Sequence, residues 1–241
     1  MNKINNRNLV QSCHGATQQK NISKMEIQEI KRHIENFLQY ANDNKIELYN
    51  EVSLQHELGI YLRNVIGEKY AIQFERNISF FGYDDKSLPS KNNEQGWIKK
   101  EIDIVVFNDK ESFAIELKFP RKRAYPRRMF QFIKDIRFIE QLKDSGFKGG
   151  CAFVLVDDKN FCTDDNLEKS GIYGYFRNPQ KEISRKIENP NKGETPEYIC
   201  IDGKYKIEWH DDKEFYDSYY DRKEKKIKKE TKKAWYYIVT I

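Results

Sequence analysis

Three residues near the middle of the chain, Asp103, Glu116 and Lys118, have types and a spacing that could do chemistry. Side chains alternate along a β-strand, so the two charged ends of the triplet Glu116-Leu117-Lys118 share one face. Twelve residues separate Asp103 from Glu116, enough for a turn and an antiparallel neighbour that sets Asp103 opposite them. Phe113, Ala114, Ile115, Leu117 and Phe119 surround the triplet, which argues against a solvated face. Burying two carboxylates and an ammonium costs on the order of several kcal/mol unless they pair with one another or bind a cation. Few, hard oxygen donors suit Mg²⁺, which keeps several waters and exchanges one for a phosphate oxygen. Mn²⁺ is expected to substitute.

A second pattern follows at once. Arg121, Lys122, Arg123, Arg127 and Arg128 place five positive charges in eight residues, with Tyr125 and Pro126 among them. Arginine is favoured where phosphates are gripped in fixed geometry. At the mouth of an acidic site, such a run would neutralise a nucleic-acid backbone and make binding strongly salt-dependent. Further on, residues 208–221 hold six acids against one Lys, and residues 222–233 hold eight bases against two acids. Blocks of this kind are expected as solvated helix faces or a flexible loop, with the lysines as a weaker second phosphate contact.

The elements that must position these residues can be read from periodicity. Residues 1–22, rich in Asn, Gln and Lys, are expected to form a loosely ordered arm. A helix is predicted from Ser23, as N-cap, to Asn42–Asn44, and a second from Ser53 to a stop at Gly67. Alternation from Tyr70 to Phe74, leading into Ile78–Phe81, predicts a strand, and Gly82–Gly96 a loop. Ile102–Phe107 and Ser112–Phe119 flank Asn108-Asp109-Lys110, a hairpin signal. A long amphipathic helix opens after the basic run, carrying Gln131 and Lys134 one turn apart. Gly150–Val156 follows as an apolar strand covered on both faces, parallel to the Ser112–Phe119 strand across the helix. Tyr198–Ile201, Lys204–Trp209 and Trp235–Ile241 are predicted strands, the first two joined by an Asp202-Gly203 turn.

This order resembles the PD-(D/E)xK nuclease superfamily, in which one strand of a hairpin carries an acid and the next carries acid-x-Lys. The resemblance covers about residues 51–157, and Ile102 stands where the motif has proline. It implies an α/β fold: a central mixed β-sheet flanked by helices, a restriction-endonuclease-like core, with a β-rich C-terminal extension. Residues 23–241 would form one nuclease-like domain, its core at about 51–157 and its elaboration at 158–241. Asp103, Glu116 and the Leu117 backbone carbonyl would hold the metal. Lys118 would position or deprotonate the attacking water and stabilise developing charge. Glu57, on the leading helix, would complete the metal shell or orient water, with Glu51 and Glu101 as competitors. Gln131 and Lys134 would support the site, and the basic run would bind the substrate. The implied activity is Mg²⁺-dependent hydrolysis of DNA phosphodiesters, double-stranded by expectation, leaving a 5′-phosphate. RNA is a weaker substrate expectation. Cutting both strands would commonly take two sites, as in a homodimer. The alternative is a module that keeps the fold and binds nucleic acid or protein without cutting.

Composition narrows the remainder. At 241 residues the chain fits one large domain, and its formal charge is only +5 because 43 bases offset 38 acids. A 14% aromatic content predicts a core built on Phe and Tyr. No stretch nears the roughly 18 apolar residues of a membrane span, and the first residues lack a secretory apolar run, so a cytoplasmic, membrane-free protein is expected. Cys13, Cys151, Cys162 and Cys200 form no paired spacing and are read as free thiols, Cys151 in the core. His14, His33, His56 and His210 are scattered, without a metal-binding arrangement.

Overall fold

The computed structural model describes residues 25–84, 96–121, 124–162 and 170–241. The expected N-terminal arm, Cys13, His14, Ser23, Lys122, Arg123 and most of the Gly82–Gly96 loop lie outside these residues. In chain order the elements are α1 (Ile27–Asp43), α2 (Glu51–Ile66), β1 (Ala71–Asn77), β2 (Glu101–Phe107), β3 (Ser112–Lys118), α3 (Tyr125–Asp144), β4 (Gly149–Val156), α4 (Tyr173–Arg177), β5 (Ile183–Glu188), β6 (Tyr198–Tyr205), β7 (His210–Asp221) and β8 (Lys226–Thr240). Six strands form one mixed sheet in the order β1-β2-β3-β4-β8-β7, and β5 pairs with β6 in a second, small sheet. Among the described strands of this sheet the β3–β4 pairing alone is parallel, because α3 carries the chain back over the sheet between them. Among the described residues, no helix is long and apolar enough to cross a membrane.

Alternation divides the sheet's side chains between two layers. Ile104, Val106, Ile115, Leu117 and Phe153 meet Ile30, Ile34 and Phe37 of α1 and Leu54, Leu58 and Leu62 of α2. On the opposite face, Ala152, Val154 and Tyr237 meet Ile133 and Ile136 of α3, and Ile183, Ile187, Ile199 and Ile201 of the small sheet extend that core. The approach of α3 is close: a Cβ on Gly150 would lie 2.6 Å from the Ala114 carbonyl oxygen and 2.6 Å from Ile139. Cys151 is buried in the core, and Cys151 and Cys162 are free thiols.

Several boundaries differ from the sequence reading, each for a local reason. The first helix starts at Ile27, and its N-cap Glu26 makes no side-chain cap. The second starts at Glu51 because Asn50, not Ser53, is the N-cap; the Asn50 and Ser53 side chains each satisfy the other's backbone N–H. β1 ends at Asn77, whose side chain accepts the Ser79 N–H and turns Ile78–Phe81 into a 3-10 segment. The 208–233 charge blocks are neither helix nor loop: they form most of the β7–β8 hairpin, acidic strand against basic strand.

Asp202-Gly203 is not a hairpin turn either. It sits inside β6 as a bulge against β5, where the register slips between Ile183 and Arg185. The reason lies on α3. Buried Glu140 accepts the Gly203 N–H at 2.7 Å, the Asp202 N–H at 3.2 Å and the Tyr205 hydroxyl at 3.0 Å. Buried Arg137 donates to Glu140 at 3.1 Å and to Asp202 at 2.8 Å. Donors that a turn would have used are thus spent on docking β6 against α3. Glu140→Ala removes the acceptor of three donors and one partner of a buried guanidinium, and is expected to cost about 3 kcal/mol or more in urea unfolding. A loss below about 1 kcal/mol would show that this network does not hold the small sheet.

Candidate active site

The β2–β3 hairpin opens where the chemistry is concentrated. Its ladder runs from Phe107↔Ser112 to Ile104↔Ile115 and stops there. In the next position the Leu117 N–H donates to Asp103 Oδ2 at 2.9 Å, and the Asp103 N–H donates to Glu116 Oε1 at 3.3 Å. Side chains therefore take the place of rungs, which couples both acids to the backbone they sit on. The ladder to β1 is interrupted at the same level: Glu75 and Asp103 are skipped, Glu75 has φ 48°, and the Asp103 carbonyl accepts instead from Gln55 Nε2 of α2 at 2.6 Å. Gln55 also donates to Glu75 at 2.6 Å.

Around this opening two ammoniums meet four carboxylates. Lys118 Nζ lies 3.4 Å from Asp103 Oδ2, 3.3 Å from Glu51 Oε1 and 3.5 Å from Asp135 Oδ2, and donates to the Leu117 carbonyl at 2.7 Å. Lys99 Nζ contacts Glu116 Oε2 closely and lies 3.2 Å from Asp103 Oδ1 and 3.4 Å from Asp135 Oδ1. Each partner is brought by a different element. Glu51, in the first turn of α2, also accepts the Phe119 N–H at 3.1 Å. Asp135 comes from the buried side of α3, and Lys99 from the segment entering β2, which Gln141 of α3 straps down through the Ile98 N–H at 3.0 Å.

Electrostatics follow from burial and from this count. With every acid ionised the cluster carries two excess negative charges. Burial and the neighbouring Asp103 carboxylate push the Glu116 carboxyl well above its ordinary value, against the pull of Lys99 and Lys118. Burial likewise raises Asp135. Burial works to raise Asp103 too, but Lys118 and Lys99, with the Leu117 N–H, outweigh it and hold this carboxyl below its ordinary value. Burial alone would lower both lysines; the surrounding acids reverse that and hold each ammonium charged.

The structure brings Asp103, Glu116 and Lys118 together, and places Gln131, Lys134 and Arg128 in the wall of the same open cleft as Glu51, Lys99 and Asp135. Glu57 is not brought in. It lies six residues beyond Glu51, two-thirds of a turn round the helix, and forms no hydrogen bond or ion pair with a described residue; Glu101 is exposed at the start of β2. Glu51 is the acid of the leading helix that reaches the site. The basic run divides. Arg121 is committed to the fold, 2.6 Å from buried Asp217 and 3.4 Å from Asp157, with its guanidinium against Phe119 and Phe215. Arg128 donates to Gln131 at 3.1 Å, and Arg127 is exposed with Glu194 at 4.0 Å. Sequence reasoning missed Lys99, Asp135 and Gln55. Asp135 carried a signal, an acid among the apolar positions of α3, whereas Lys99 belongs to no periodic segment.

Comparison with protein-family models, with curated proteins and with solved structures finds no match for this chain. Among the described residues, no group of three or more His, Cys, Asp or Glu side chains is arranged so as to hold a metal ion. Lys99 accounts for this, because its ammonium lies between Asp103, Glu116 and Asp135. The donor chemistry nonetheless fits a hard divalent cation. The oxygens are carboxylate and carbonyl, the negative charge exceeds the ammoniums by two once every acid is ionised, and Asp135 Oδ2 is buried without a hydrogen-bond partner. Such an ion and Lys99 would compete for the same three acids.

The raised Glu116 carboxyl has a definite sign for stability. Above about pH 4.5, the native state holds protons that the unfolded chain has released, so folding stability falls as pH rises toward the native value. In EDTA, Glu116→Gln is therefore expected to weaken this decline and to be no less stable than wild type at pH 8. Urea unfolding of both proteins from pH 5 to pH 8 checks it, and parallel pH profiles would exclude a raised Glu116.

Proposed function

We propose that this chain is a Mg²⁺-dependent nuclease that hydrolyses phosphodiester bonds of double-stranded DNA through a PD-(D/E)xK-type site. The observation that supports it is the convergence of Asp103, Glu116 and Lys118 at an opened hairpin, with Lys118 lining a cleft that is also walled by Arg128, Gln131 and Lys134. Asp103, Glu116 and the Leu117 carbonyl would hold Mg²⁺, with Mn²⁺ as a substitute. When bound, the ion supplies a Lewis acid for the phosphoryl oxygens. Lys118, kept charged by the acids around it, is suited to stabilise charge developing on the phosphate rather than to take a proton from water. Glu51 fixes the Lys118 ammonium from the helix side, and Arg128 with Gln131 would hold the scissile backbone over the cleft. In-line attack by water would leave a 5′-phosphate.

A second reading has its own support. Lys99 already contacts three of the acids, in the place a metal ion would take, which suits a protein that binds nucleic acid without cutting it. Incubating the protein with supercoiled, linear and single-stranded DNA and with RNA, in Mg²⁺ or in EDTA, separates the two. Cleavage in Mg²⁺ alone supports the nuclease, and duplex binding without cleavage supports the binding module. Asp103→Asn, Glu116→Gln and Lys118→Ala are each expected to lower kcat by about a hundredfold or more. Glu51→Gln should lower it by roughly tenfold and Glu57→Gln should leave it within about twofold. Undiminished cleavage by Lys118→Ala, or a larger loss at Glu57 than at Glu51, would overturn this assignment of roles.

A further inference from the structure

Most of the β7–β8 hairpin projects beyond the sheet. Lys118 of β3, Val154 of β4 and Tyr237 of β8 form one row across the sheet, and Trp235 is the last residue of β8 that pairs with β4. From Ala234 back to Lys226, β8 pairs with β7 alone. At about 3.3 Å per residue this is a two-stranded ribbon about 30 Å long. It leaves the sheet at the end where β3 delivers Glu116 and Lys118, two strands to the side of β3. Its base is fastened to the site's rim: Arg121 and Lys232 both pair with buried Asp217, and Phe215 packs edge-on against Phe119. Glu47, bonded to Ser218 and Lys229, holds the middle. Beyond that level, the described hydrogen bonds and ion pairs of the ribbon run within the ribbon itself.

The free end has the chemistry of a polyanion contact. Between Asp221 and Lys229 there are six bases against two acids. Arg222, Lys223 and Lys225, in the exposed connecting turn, form no ion pair with a described residue, unlike Lys226 and Lys228. Tyr220 and Ile227, cross-strand partners, are 60% and 66% exposed just below the turn. A duplex major groove is about 12 Å wide and admits a two-stranded β-ribbon, with bases on its flanks meeting phosphates.

We infer that the distal β7–β8 ribbon is a DNA-gripping arm, which seats its basic tip in a groove of the duplex and so holds that duplex across the cleft. This rests on the nuclease reading for what the cleft does, but the arm can be tested without cleavage. The variant Arg222→Gln/Lys223→Gln/Lys225→Asn removes three charges that form no ion pair with a described residue; Asn tolerates the φ of 52° at position 225. Fluorescence anisotropy with a 30-base-pair duplex in EDTA, titrated at several salt concentrations, reads the effect. The variant, with an unchanged thermal melt, is expected to bind at least about tenfold more weakly at 100 mM salt, and its log–log salt slope should fall by about 2 to 3. Unchanged affinity and slope would overturn the arm, and so would failure of the wild-type protein to bind duplex at low salt. Equal dependence on these residues for a single-stranded 30-mer would overturn groove docking. Outcomes for the two readings are distinguishable. Mg²⁺-dependent cleavage with ribbon-independent binding keeps the nuclease and removes the arm, and ribbon-dependent binding without cleavage does the reverse.

Discussion

Burying more acid than base at one end of a hairpin is the constraint around which this molecule is organised. Asp103 and Glu116 stand on adjacent strands where ladder bonds would ordinarily continue, and their carboxylates have displaced those bonds. What keeps them there is a shell drawn from several elements: Gln55 and Glu51 from α2, Asp135 from α3, Lys99 from the segment entering β2, and Lys118 from β3 itself. An unpaired carboxylate in such a place would be strongly destabilising, so the two ammoniums are as much a part of the fold as of any reaction. The same low-dielectric setting sharpens each electrostatic effect at the cleft.

The site and the C-terminal ribbon are joined through one side chain. Arg121 directly follows the β3 strand with its Glu-x-Lys triplet, yet its charge is directed sideways to Asp217 at the ribbon's base and its guanidinium lies against Phe119 and Phe215. A residue expected to meet phosphate instead ties β3 to the strand pair beyond it. This explains how two opposed charge blocks can be structured at all. Near the body acidic β7 and basic β8 pair out of register, Lys232 with Asp217 and Lys233 with Asp211, and toward the turn positive charge prevails. The small net charge of the chain is therefore the remainder of local fields of opposite sign, one acidic at the cleft and one basic at the ribbon tip.

Much was legible in the residues alone because its cause is local. Periodicity marked α1, α2, α3 and the four consecutive strands β1 to β4, and the parallel pairing of β3 with β4 followed from a helix between two apolar strands. The Asp103, Glu116 and Lys118 triad was legible because a two-residue alternation and a tight turn suffice to juxtapose it. The second helix begins at Glu51 rather than Ser53 because Asn50 and Ser53 close a capping box, which carries no apolar periodicity. Asp202-Gly203 has a turn's composition, but Glu140, sixty-two residues away, claims its donors.

What the sequence by itself determined, then, is the α/β layering and the pairing of acid, acid and lysine on two neighbouring strands, since both depend on side-chain alternation and short connections. Only the tertiary structure decided which acid of the leading helix reaches them. It alone brought Lys99 and Asp135 into the cluster and turned Arg121 away from the cleft. It also made a projecting ribbon of the charge blocks. Each of those outcomes depends on how elements far apart in the chain are docked. Docking is set by the packing of two apolar layers and the satisfaction of buried charge, neither of which leaves a periodic mark in the sequence.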